Sequence, residues 1–252
     1  MRIVMMKKLN LCIAVFFGFL LTFNILFAQS DRKSGRLDLR ERVFDFGIVP
    51  REAKVVHDFV LKNVGHDTLR ILDIKAGCAC TTAPVGKRVL EVNDSTIMPV
   101  TFSTGRASGK TQKGVNITTD MEPRGLFPLS IKAYVESPTM KTPDLTAEPR
   151  SIKYTPPDTE AEGVAEVELV NNSDKDLTVK IVDYTDDLGQ PKLKEGRIKP
   201  GKKSELEFEF IPMSNMSTVN GSVTLEVYAG EEMLMRYSIP IIRQRPVDYS
   251  SK

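Results

Sequence analysis

The chain has 252 residues, 41% of them apolar, with no Trp and a formal charge of +2. Its length suits two domains of about 100 residues each plus a leader, and its composition suits packed cores rather than wholesale disorder. The missing tryptophan excludes an antibody-type core, and near-neutrality argues against a nucleic-acid face, which needs strong positive charge.

The N-terminus has the form of a secretory signal. Arg2, Lys7 and Lys8 precede an apolar run from Leu11 to Phe27, and Ala28 stands before Gln29, Ser30 and Asp31. This predicts a signal peptide over residues 1–28, cleaved after Ala28. The competing reading is an uncleaved leader, the chain's one means of holding a membrane. Cys12 opens the apolar run rather than following it, so it is not placed for lipidation. Without residues 1–28, 32 basic side chains stand against 33 acidic ones. Residues 29–145 carry 18 basic and 14 acidic groups, and residues 146–252 carry 14 and 19. The two halves therefore differ in sign, which favours head-to-tail contact.

Short alternating runs follow, separated by turn residues, with no long helical period. Val43 to Phe46 alternates up to Gly47. Val55 to Asn63 is the next run, and Leu69 to Ile74 alternates again. Val89 to Val92, Thr96 to Phe102, Val115 to Ile117 and Phe127 to Val135 complete roughly seven strands in about 100 residues, the number expected of an immunoglobulin-like sandwich. Residues 138–149, with Pro138, Pro143 and Pro149, read as a stiff linker.

The second half repeats the first. Phe59 to Asn63 resembles Val167 to Asn171, Pro99 to Phe102 resembles Glu205 to Phe208, and Leu129 to Ile131 resembles Tyr237 to Ile239. Within Glu205 to Phe210 the alternation sends Leu206, Phe208 and Phe210 to the core and the three glutamates to solvent. The predicted fold is all-β: two tandem immunoglobulin-like β-sandwich domains, residues 37–137 and 150–245, after the signal peptide.

Phe44-Asp45-Phe46-Gly47, the Phe59-x-Leu61-x-Asn63-x-Gly65 segment and Gly77-Cys78-Ala79-Cys80-Thr81-Thr82 together resemble the bacterial DUF1573 family. That family is related in fold to ASPM/SPD-2/Hydin and PapD-like immunoglobulin domains. The resemblance covers about residues 40–135; Ala79 replaces the family's usual Gly and Gly77 its usual Ser. It implies an exported β-sandwich module and no particular reaction.

Cys78 and Cys80 are the sharpest chemical feature. Three readings compete. In an extended strand their Cα atoms would lie about 6.6 Å apart, so a disulfide requires a kink, which Gly77 permits. As thiolates on one face they would suit Cu(I) or Zn, with His57 and His66 as the histidines that could complete the set. As small residues they would simply pack a turn. Exposed strand and turn positions explain both histidines without a ligand role. Asp183, Asp186 and Asp187 fail the EF-hand spacing and read as an acidic turn; Lys199 to Lys203 reads as a basic one. No catalytic triad or phosphate loop is present. The sequence thus points to a non-catalytic binding or scaffold protein without a cofactor, partnered by another exported protein or a cell-envelope component through its sheet edges. The alternative is a thiol-redox or metal-handling protein centred on Cys78 and Cys80.

Overall fold

The computed structural model describes residues 35–121, 123, 125–158, 161–213 and 217–245. The leader, its cleavage site and Cys12 lie outside them.

In chain order the strands are β1 (Leu37–Leu39), β2 (Val43–Val49), β3 (Lys54–Asn63), β4 (Leu69–Ala76), β5 (Thr81–Thr82), β6 (Val89–Leu90), β7 (Ser95–Ser103), β8 (Gly109–Thr119) and β9 (Leu126–Val135) in the N-terminal half. The C-terminal half contains β10 (Leu145–Glu148), β11 (Ile152–Tyr154), β12 (Gly163–Asn171), β13 (Leu177–Tyr184), β14 (Gly189–Leu193), β15 (Arg197–Ile198), β16 (Lys203–Phe210), β17 (Val219–Ala229) and β18 (Glu232–Arg243). One short 3-10 turn, Asp186–Leu188, precedes β14.

Among the described residues the protein is an all-β sandwich structure of three sheets. Two have four strands, in the orders β1-β3-β7-β5 and β10-β12-β16-β14. The third has ten and runs through both halves in the order β15-β13-β17-β18-β2-β9-β8-β4-β6, with β11 on β18. Two separate apolar cores result. One gathers Phe46, Phe59, Leu61, Met98, Phe102, Ile117 and Ile131. The other gathers Val167, Leu169, Leu206, Phe208, Leu225 and Ile239. Alternation explains which side chains go inside: Leu206, Phe208 and Phe210 are buried as expected, as are Met98, Val100 and Phe102 on β7.

The same turn recurs in each half. Asn63 is fully buried at the end of β3; its Oδ1 accepts the Gly65 N–H (3.0 Å) while its Nδ2 donates to the carbonyls of Asp67 (2.8 Å) and Leu90 (2.9 Å). Asn171 does likewise at the end of β12, accepting from the Ser173 N–H (2.9 Å) and donating to Lys175 (2.7 Å) and Ile198 (2.8 Å). A side-chain amide is the one uncharged group that supplies both donors and an acceptor to a buried turn.

The strand ladders correspond residue for residue: Lys62 faces Ser95 as Val170 faces Lys203, and Thr81 faces Phe102 as Gly189 faces Phe210. Phe102 therefore corresponds to Phe210. The sequence matching of Phe102 with Phe208 is two residues short, because alternation looks the same after a shift of two. The proposed linker also needs correction. Leu145–Glu148 lies within residues 138–149 yet forms β10, since Leu145 and Ala147 are apolar at alternate positions and fully buried beside β12.

Candidate functional site

Cys78 and Cys80 sit on the turn between β4 and β5 and are joined to each other by a disulfide, with Cα atoms 5.3 Å apart. The turn supplies the kink that an extended strand lacks: the Gly77 N–H donates to Gly114 O (2.8 Å) and the Thr81 N–H to Cys78 O (3.2 Å). Both cysteines are half-buried, and Cys80 packs against the N-terminal core. In the other half the corresponding place holds Asp186–Leu188, where buried Leu188 fills the space by the core.

The four sulfur and imidazole groups considered for a metal are not brought together. The cysteines bond each other, and His66 is exposed on the turn after β3. His57 is 5% exposed rather than an outward strand residue, and carboxylates occupy both its ring nitrogens. Among the described residues, the one close group of potential ligands is Glu166, Glu205 and Glu207. These lie beside the Lys203–Glu168 and Lys194–Glu205 pairs, on a solvated face.

His57 marks the seam between the halves. Its Nδ1 lies 2.9 Å from Asp183 Oδ1 on β13, and its Nε2 lies 2.7 Å from Glu41 Oε1, just before β2. Its ring stacks on Phe44 with centroids 3.6 Å apart. Asp58, the next residue, faces the same acidic turn. Burial first, then the Asp186 carboxylate, push its carboxyl up to about 6, with Asp183 and Asp187 adding to the rise and His57 opposing it.

Serines close the rest of the seam. Ser222 on β17 accepts the Val56 N–H (3.1 Å) and donates to Val56 O (2.6 Å), so one hydroxyl satisfies both backbone groups on an otherwise open stretch of β3. Ser238 on β18 donates to Phe46 O (2.6 Å), and Tyr237 pairs with Ile48 to carry the large sheet from one half to the other. Gly47 makes this approach possible. It has φ +65, and a Cβ there would overlap the Arg236 carbonyl. Gly47 is the last residue of the Phe-x-Phe-Gly segment, so that segment's glycine serves the contact between halves.

Several of these positions fall within a stretch that matches a family model. Residues 37–135 match the DUF1573 family model, described as a protein of unknown function. The DUF1573 stretch takes in the Phe44 to Gly47 segment, the Asn63 turn and the Cys78–Cys80 bridge, and it ends with β9. A comparison with curated proteins finds no match. Among solved structures, a protein of unknown function from Porphyromonas gingivalis W83 is similar at 13% identity and a TM-score of 0.32, covering 81% of this chain and 98% of its own. The ASH/PapD-like domain of human CEP192 is similar at 13% identity and a TM-score of 0.35, covering 45% and 93%. The E. coli chaperone DraB is similar at 12% identity and a TM-score of 0.32, covering 81% and 97%.

Sequence reasoning missed Ser222, Ser238 and His57 as seam residues. Small polar residues on a strand look like solvent-face residues until a second sheet is placed over them. It also missed Arg243. This residue ends β18 fully buried, and among the described residues none of its guanidinium nitrogens has a hydrogen-bond partner.

Proposed function

We propose that this chain is an exported, non-catalytic binding or scaffold protein. It is built from two immunoglobulin-like modules, the first over residues 37–137 and the second from β10 (Leu145–Glu148) to residue 245, joined as a duplicated pair and acting on another exported protein or a cell-envelope component. The observation that carries this reading is the seam. A continuous sheet, the Ser222 and Ser238 hydroxyls and the His57 bridge hold the halves in one orientation. A fixed frame of this kind presents separated surfaces to a partner without having to order them on binding. Export rests on the leader's pattern. Among the described residues no helix is long and apolar enough to cross a membrane.

The partner surface best supported is the open side of β7. There β5 covers only Thr101 and Phe102, and Ile97 is 50% exposed. Pro99 lies on that strand without an N–H, which guards the edge against indiscriminate pairing while leaving Ile97 as an apolar anchor. The test is a photo-cross-linking residue at position 97 in cells producing the protein, with position 192 as the exposed control. One discrete adduct specific to position 97 is expected. No adduct there, or substrate turnover by the purified protein, would contradict the reading.

A second reading, thiol-redox chemistry, is favoured by the half-exposed place of the Cys78–Cys80 bridge on a turn. Replacing both cysteines without changing any redox phenotype of the producing cell would eliminate it.

A further inference from the structure

A groove of about 610 Å³ lies across the face of the large sheet where β8, β9, β2 and β18 meet. Its shape follows from the seam. The β2–β9 ladder is irregular between Asp45 and Ile48, Phe46 is buried, and Gly47 supplies no side chain, so the sheet is hollow there. The segment after β9 forms one wall with Met140 and Pro143, and Met235 on β18 lines the groove from the C-terminal half. Ile48, Ala133 and Tyr134 add to an apolar floor.

Charge around this apolar surface is one-sided. Lys110, Lys132 and Lys141 line it, all three exposed, and none is in an ion pair among the described residues. Arg236 also lines it but is already held by Glu226 Oε1 (2.6 Å). Among the described residues the one acidic lining residue, Asp45, accepts the Gly47 N–H through Oδ1 (2.8 Å). An apolar hollow with three uncommitted ammonium groups around it suits a ligand with an apolar body and an anionic head. Its volume falls in the roughly 300–1,000 Å³ range of small-molecule sites.

We propose that this groove binds a small, freely diffusing amphipathic organic acid, its body against Ile48, Met140 and Met235 and its acid group among Lys110, Lys132 and Lys141. The site goes beyond the scaffold reading and stands without it, because it lies on a different face from the open side of β7.

The test is fluorescence titration of the purified protein with two probes, anilinonaphthalene sulfonate and its uncharged counterpart N-phenylnaphthylamine. One saturable site per chain is expected, binding the anionic probe at least about tenfold more tightly than the neutral one, a difference of about 1.4 kcal/mol. The double charge reversal Lys132→Glu with Lys141→Glu should weaken the anionic probe by a similar factor, and Lys62→Glu on β3 should not. An alkyl carboxylate should displace the probe. Both reversals change exposed side chains, and an unchanged thermal transition verifies that the fold survives them. Equal affinity for both probes, or indifference to the reversals, would overturn the proposal. So would displacement by an acidic peptide but not by the alkyl carboxylate, or binding seen only with anionic vesicles.

Discussion

Ser222 and Val56 are 166 residues apart, yet one serine hydroxyl satisfies both the N–H and the C=O of that valine. The bonds are buried, so losing the hydroxyl would leave two backbone groups with neither protein nor water partners. Ser222→Ala should therefore cost about 2–3 kcal/mol in denaturant unfolding, well above the effect of removing an exposed serine. A cost under about 0.5 kcal/mol would mean that the seam opens to water.

How far the sequence reveals this arrangement depends on whether one or both faces of a strand are covered. Leu206, Phe208 and Phe210 are legible because β16 has one covered face and one wet one. β3 is not, since Val55, Val56 and His57 are all buried in succession: the C-terminal half lies against it, and strict alternation fails. The Cys78–Cys80 segment is legible only in part: Gly77 permits the kink that a bridge needs, but the disulfide, metal and packing readings separate only once the two sulfurs are placed. The groove is not legible, because Lys110, Lys132, Lys141 and Met235 come from distant segments and meet only once β2 joins β18.

Phe208 is the plainest test of the C-terminal core. It is fully buried and packs edge-to-face with Phe210. Phe208→Ala should destabilise the protein by about 3–5 kcal/mol, through lost transfer energy and the cavity left behind. Chemical denaturation with the slope held constant measures it.

Asp58 gives a pH signature with a definite sign. Its folded carboxyl titrates at about 6 against 3.8 for the ordinary group. The folded state thus keeps a proton that the unfolded chain has lost, and stability falls as pH rises through that window. Asp58→Asn removes the penalty. The variant should match the wild type near pH 3.5 and exceed it above pH 6.5, by about 1 kcal/mol once solvent screening of this part-exposed carboxyl is allowed for. Thermal melts across that range provide the comparison, and a pH-independent difference would show that burial is not the cause.

The disulfide should contribute little to folding. Bridging residues two apart closes a three-residue loop, for which chain entropy supplies about 1.6 kcal/mol, roughly half the value for a fifteen-residue loop. Reduction, or Cys78→Ser with Cys80→Ser, should leave a folded protein with its melting temperature lowered by only a few degrees. Global unfolding on reduction would show that the bridge holds the turn against the core.

The most direct test of the joined frame is calorimetric unfolding of residues 29–252 alongside the Gly47→Ala variant. A Cβ at Gly47 meets the Arg236 backbone and must also adopt a positive φ, so it strikes the seam and neither core. The expected result is one cooperative transition in the wild type that separates into two in the variant. Two independent transitions already present in the wild type, unmoved by the substitution, would contradict the account.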